Sequence, residues 1–328
     1  MLDIDNSTTT NDSSIISVGF IIPRVKFWFY LIFLIPSIIC TLFLLYYLLS
    51  NRNLRRSLNN HVIIVLLFTV LFCEVTMYPW MLYYFCKGDS WQRSYIFCSI
   101  WAFIDWAFYA MQIMLFAWAS IERHILIFHH TWFSTRRKRF FLHYLPIALI
   151  LIYYHIFYFI VYFYSPCEND FIDSGMICFS VGLYDLMVFR VFETMINNIL
   201  PDLAIVIFSM SLIIRIIRQK QRMNQPIRWR QCRKMTIQLL SISFLYLIVT
   251  GPNAFMVFLY MCGLPDDVGV NFTEYAVFLT YFIVLLFPFV SMLSMPELLT
   301  KIKATIQLIR PARLLSPEII NMENMRQN

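Results

Sequence analysis

Seven runs of about twenty or more apolar residues, spaced along a chain of 328, constrain the fold more than any other feature. A helix rises about 1.5 Å per residue and needs about 20 residues to cross a hydrocarbon core of about 30 Å. The runs lie near Phe27–Leu49, His61–Phe85, Ile96–Ile127, Phe140–Tyr164, Asp185–Ile217, Met235–Met261 and Tyr275–Met295. They are continuously apolar rather than alternating, which predicts helices and not the strands of a β-barrel. Composition agrees: 60% of residues are apolar and 14% charged, where a soluble domain carries about 25% charged residues. A soluble chain of this kind would expose apolar patches far beyond a few hundred Å². The expected class is an all-α, multi-pass membrane protein: a seven-helix bundle over residues 26–310, with a tail at 1–25 and another at 311–328.

Basic residues orient the bundle. Three fall in the first inner loop, five in the second, eight in the third and five in the C-terminal tail, twenty-one of the chain's 26. The N-terminus is therefore expected outside. Glycosylation sequons at Asn6, Asn11 and Asn271 fall on that outer side. The first 25 residues hold no apolar h-region, so the first helix is expected to act as the targeting signal. The net charge of +7 reflects inner loops facing anionic lipid or a protein partner, not nucleic acid. Of eight cysteines, Cys86, Cys98, Cys167 and Cys178 lie at the outer side, where oxidation is permitted and three pairings are open. Cys40 and Cys73 sit mid-helix as small apolar packers. No CxxC pair or His/Cys cluster calls for a metal, and no cofactor is expected.

Ionisable groups inside a bilayer are site candidates by default, at a cost of at least ~2.5–3.5 kcal/mol each. Asp105 lies seven residues inside Cys98, about 10 Å down a helix. Arg123 follows Asp105 by 18 residues, about five turns, so both point to one face at opposite membrane ends. Arg190 and Glu193 are spaced for ligand contact or for mutual neutralisation. Asn197, Asn198 and Asp202 lie deeper, as pocket groups or helix–helix hydrogen bonds. Glu168, Asp170 and Asp173 make the second outer loop acidic, a rim that attracts cations or an ordinary solvated loop.

Several spacings together carry a resemblance. Trp91 precedes Cys98 by seven residues, Glu122-Arg123-His124 ends the third run, and Arg123 follows Cys98 by 25 residues. Pro201, Pro252 and Pro288 punctuate the last three runs, and Pro296-Glu297-Leu298 follows the seventh. The pattern resembles the rhodopsin-like G-protein-coupled receptors over roughly residues 25 to 310. The resemblance implies a Cys98–Cys178 disulfide, with Cys86–Cys167 as a natural second bridge. It implies that Asp105 and Tyr281 face one another in a ligand site, and that Pro296 opens a short inner amphipathic helix. It also implies that Glu122 and Arg123 form the inner switch, with Pro288 part of it, and that Arg123 meets a heterotrimeric G protein. Asp105 then either pairs with a ligand ammonium or is a structural carboxylate held by Tyr281. Departures are visible: no acid stands at Thr69–Leu71, Thr250 replaces the usual tryptophan, and Phe287 replaces the usual asparagine. No sodium site is expected as a result.

The function expected on these grounds is a plasma-membrane receptor, not an enzyme, for an extracellular short peptide or amine. An environmental chemoreceptor of the same fold, a receptor that no longer signals, and a membrane transporter or channel are the alternatives. Retinal-based light sensing is excluded, because no lysine lies between Lys234 and Lys301. A transporter would ordinarily show internal repeats or glycine-broken helices, and the chain has only seven glycines.

Overall fold

The computed structural model describes residues 22–92, 94–128, 135–167, 169–171, 176–222, 226–265, 267–295, 298 and 300. Among these, six helices are long and apolar enough to cross a bilayer: Pro23–Ser50, Asn60–Lys87, Tyr95–Leu126, Arg136–Phe163, Met187–Arg215 and Leu240–Met261. A seventh span is built from two helices, Val270–Thr280 and Phe282–Leu293, bent by 43°. The bundle is a multi-pass membrane protein, and its helical segments follow the apolar runs. Two starts differ from expectation by five residues or more. The sixth helix begins at Pro226 rather than Met235, since proline suits a first helical position and basic turns continue the helix beyond the bilayer. The seventh begins at Val270 rather than Tyr275, extended by a polar turn whose Glu274 pairs with Lys26 at 2.6 Å.

The first span shows how sequence selects the buried face. Tyr30, Leu34, Ser37, Thr41, Leu44 and Leu48 recur at helical spacing and are buried. Ile32, Ile35 and Ile39 lie on the other side and are exposed, as suits contact with lipid tails. Small polar residues on the buried face do the joining. Ser37 donates to the Glu74 carboxyl and stands 2.9 Å from the Leu285 carbonyl oxygen. Thr41 lies 3.5 Å from the same carboxyl oxygen. Glu74, fully buried, thus ties the second span to the first, and Ser37 carries the link on to the seventh. Replacing Glu74 with alanine removes this acceptor and leaves a cavity, while Ser37 keeps the Leu285 carbonyl and Thr41 the Ser37 carbonyl, a loss of about 1–3 kcal/mol in all. We expect Glu74→Ala to lower the melting temperature in detergent by roughly 3–8 °C. Glu74→Gln, which keeps an acceptor oxygen, should lower it far less.

Prolines shape two other spans in the same way. The backbone N–H of Leu145, just before Pro146, bonds to the Phe140 carbonyl, closing a π-turn over Phe140–Tyr144. The N–H of Leu200, just before Pro201, bonds to the Met195 carbonyl, closing a second over Met195–Ile199. A proline ring clashes with the carbonyl four residues back and cannot bond to it, and the turn ahead of it opens. The extra residue turns His143 and Asn197 to the interior, where both are fully buried. The seventh-span bend has a different cause. The Tyr78 hydroxyl donates to the Tyr281 carbonyl at 2.5 Å, drawing it out of the helical ladder.

At the outer end, Cys98 is bonded to Cys178, with Cα atoms 5.4 Å apart. Cys178 adjoins a small hairpin in which Asp170–Phe171 pairs antiparallel with Phe179–Ser180. Cys86 and Cys167 are free, so the second bridge is not formed. Asn6, Asn11, Glu168, Asp173, the inner helix beginning at Pro296-Glu297 and the tail 311–328 lie outside the described residues.

Candidate functional site

A cavity of about 430 Å³ opens among the third, fifth, sixth and seventh spans. Its wall includes Asp105, Arg190, Glu193, Asp202 and Tyr281, so the acids named from sequence converge on one space. The Tyr281 hydroxyl donates to Asp105 Oδ2 at 3.1 Å, joining the third and seventh spans. The mutual neutralisation of Arg190 and Glu193 does not occur. Glu193 is 2% exposed, and it accepts from the Tyr158 hydroxyl of the fourth span at 2.5 Å. Arg190 is exposed at the cavity's edge. Residues three apart lie on one helical face, yet Glu193 turns to the tyrosine across the bundle and Arg190 stays at the rim. Asp202 also reaches the cavity and lies beside the Tyr246 hydroxyl. Tyr158 was not legible as a partner, since nothing in the fourth run marks one tyrosine over another.

A second cavity of about 570 Å³ lies toward the outer surface, roofed by the Lys26–Glu274 pair. It shares Tyr260, Thr273, Val277 and Tyr281 with the deeper one. The two form an outer approach and an inner chamber with a common wall. The disulfide holds the second outer loop against this entrance, and Met176 of that loop lines the outer cavity.

The inner end of the third span carries Glu122 and Arg123, which are 2% and 4% exposed. Glu122 is bonded to Nδ1 of His143, fully buried on the fourth span. His143 Nε2 lies 2.8 Å from His61 Nδ1, and His61 Nε2 lies 2.8 Å from the Arg55 carbonyl oxygen. A carbonyl only accepts, so His61 Nε2 carries the hydrogen. A neutral His61 ring then accepts at Nδ1 from His143 Nε2–H. The acid of the triplet is therefore anchored through two imidazoles to the second span and the first inner turn. Sequence reading did not find this chain. Its one signal was that histidines gather at inner helix ends.

Between cavity and inner end the bundle is packed with rings. Phe287 is fully buried and meets Phe116 edge to face at 5.5 Å. Tyr246 stands 5.3 Å from the same Phe116 ring, and Thr250 Oγ1 donates to the Tyr246 carbonyl at 2.8 Å. Gln112 lies 3.9 Å from the Cys73 sulfur. Phe287 thus joins Phe116 and Tyr246 in an aromatic layer between the two ends, with Thr250 bonded to the Tyr246 backbone beside it.

Seven spans thus enclose a largely apolar, acid-bearing cavity beside an outer disulfide, with Glu122 and Arg123 buried at the opposite end. Residues 40–293 match the family described as 7 transmembrane receptor (rhodopsin family). The chain belongs to that family. No curated protein matches it.

Proposed function

We propose that the chain is a plasma-membrane receptor that takes an extracellular amine or short peptide into the inner chamber. It passes the signal to a heterotrimeric G protein at the inner end. The observation that carries this reading is Asp105, a carboxylate on the wall of a largely apolar cavity reached from the outer side, with Oδ2 held by Tyr281. A cation entering such a space meets a fixed counter-charge, and the attraction is stronger there than in water. The screen that tests it exposes cells to amines and short peptides and reads calcium and cyclic AMP. Silence from every amine and peptide would overturn the ligand class.

Switching is a two-state equilibrium biased by ligand outside and transducer inside. In the arrangement described here, Glu122 is tied to the fourth span and Arg123 is buried, so the tie favours the resting packing. His143→Phe removes the tie. Each kcal/mol lost from the resting state shifts the ratio about fivefold, and agonist-free signalling should rise several-fold at equal surface expression. Arg123→Ala should abolish signalling while leaving ligand binding in place. An unchanged basal signal in His143→Phe would rule out the tie as a latch.

A further inference from the structure

The inner chamber carries more carboxyl groups than one ammonium group can pair with. Asp105, Glu193 and Asp202 all reach its wall, against the single cation Arg190, so with all four ionised it keeps two net negative charges. Each acid has an oxygen without a hydrogen-bond partner among the described residues. Tyr281 takes only Oδ2 of Asp105, Tyr158 takes only Oε1 of Glu193, and Oδ1 of Asp202 is buried and unpartnered. Arg190 forms no salt bridge among these residues and sits at the exposed edge. Met77, Trp106, Val257 and Ile283 add apolar surface to the same wall.

We propose that the ligand is a flexible dication: two ammonium groups joined by an aliphatic spacer, one held by Asp105 on the third span and the other by Glu193 on the fifth. This rests on the amine reading of the chamber and goes further by assigning a second charge. Asp202, nine residues beyond Glu193 on the same span, adds a third carboxyl group at depth. A monocation would leave one buried carboxylate uncompensated. A dication satisfies both while its methylenes cover the apolar wall.

The experiment uses the purified full-length chain and two probe series. These are 1,4-diaminobutane, 1,6-diaminohexane and 1,8-diaminooctane, each against the n-alkylamine of equal carbon number. Dissociation constants come from thermal-shift titrations, which need no signalling. The best diamine should bind at least about tenfold more tightly than its monoamine. Glu193→Gln keeps an oxygen to accept from Tyr158, and the melting temperature of the unliganded variant checks that it folds. In that variant the diamine should fall to the monoamine's affinity while the monoamine changes less than about twofold. Asp105→Asn should weaken both. Equal affinities of diamine and monoamine in the unaltered protein would overturn the second charge and leave the amine reading standing. No shift with either series would overturn both.

Discussion

Asp105→Asn should raise the amine concentration for half-maximal response by about 30- to 150-fold at matched surface expression. The side chains are nearly isosteric, so the change removes charge and little else. A unit-charge pair at 4 Å is worth about 4 kcal/mol at an effective dielectric near 20. Part of that is spent desolvating the ligand. The 2–3 kcal/mol remaining corresponds to the stated range, at 1.4 kcal/mol per tenfold. Tyr281→Phe removes a donor to the same carboxylate, worth about 1.5–3 kcal/mol to a charged group, but the bond is present with and without ligand and largely cancels from affinity, so its effect on potency should stay below about tenfold. The comparison separates two roles. If Asp105 were only a structural acceptor for Tyr281, both variants would lower stability alike and leave potency unchanged.

Cys98→Ser should remove most folded receptor from the cell surface. The disulfide closes a sequence separation of 80 residues, and the chain-entropy argument puts that at up to about 4.5 kcal/mol. Helices held in a bilayer before they pack reduce this figure, since the unfolded chain is already restrained. The bond also ties the hairpin to the third span beside the cavity entrance. Any receptor that survives the substitution should bind amines more weakly. Cys178→Ser should match it, whereas Cys86→Ser and Cys167→Ser, altering free thiols, should leave expression and melting temperature close to unchanged. Equal melting temperatures for Cys98→Ser and the unaltered chain would show that the loop is held by packing alone.

Glu193 and Glu122 show where legibility stopped. Both were marked as site candidates, because an acid inside a membrane segment stands out in any reading of the chain. Their partners were not. Spacing offers Glu193 a ligand or Arg190 three residues away, and its carboxyl meets Tyr158 across the bundle. Glu122 was grouped with its neighbour Arg123, and its carboxylate bonds to His143. In each case a local neighbour on the same helix was the only candidate that spacing offered. The partner chosen came from the adjacent fourth span. Asp105 and Tyr281 are the exception. They met as expected, but the expectation came from family resemblance and not from spacing.

The division has a physical basis. Hydropathy and charge add up residue by residue along the chain, so the number of spans, their extents within a few residues and their direction across the bilayer belonged to the sequence itself. Which side chains meet depends on the rotation of each helix about its axis. One extra residue in a turn rotates everything beyond it by about 100°. The π-turns ahead of Pro146 and Pro201 and the bend at Tyr281 set those rotations. Only the packed bundle decided that His143 faces Glu122, that Tyr158 faces Glu193, and that three carboxylates share one chamber.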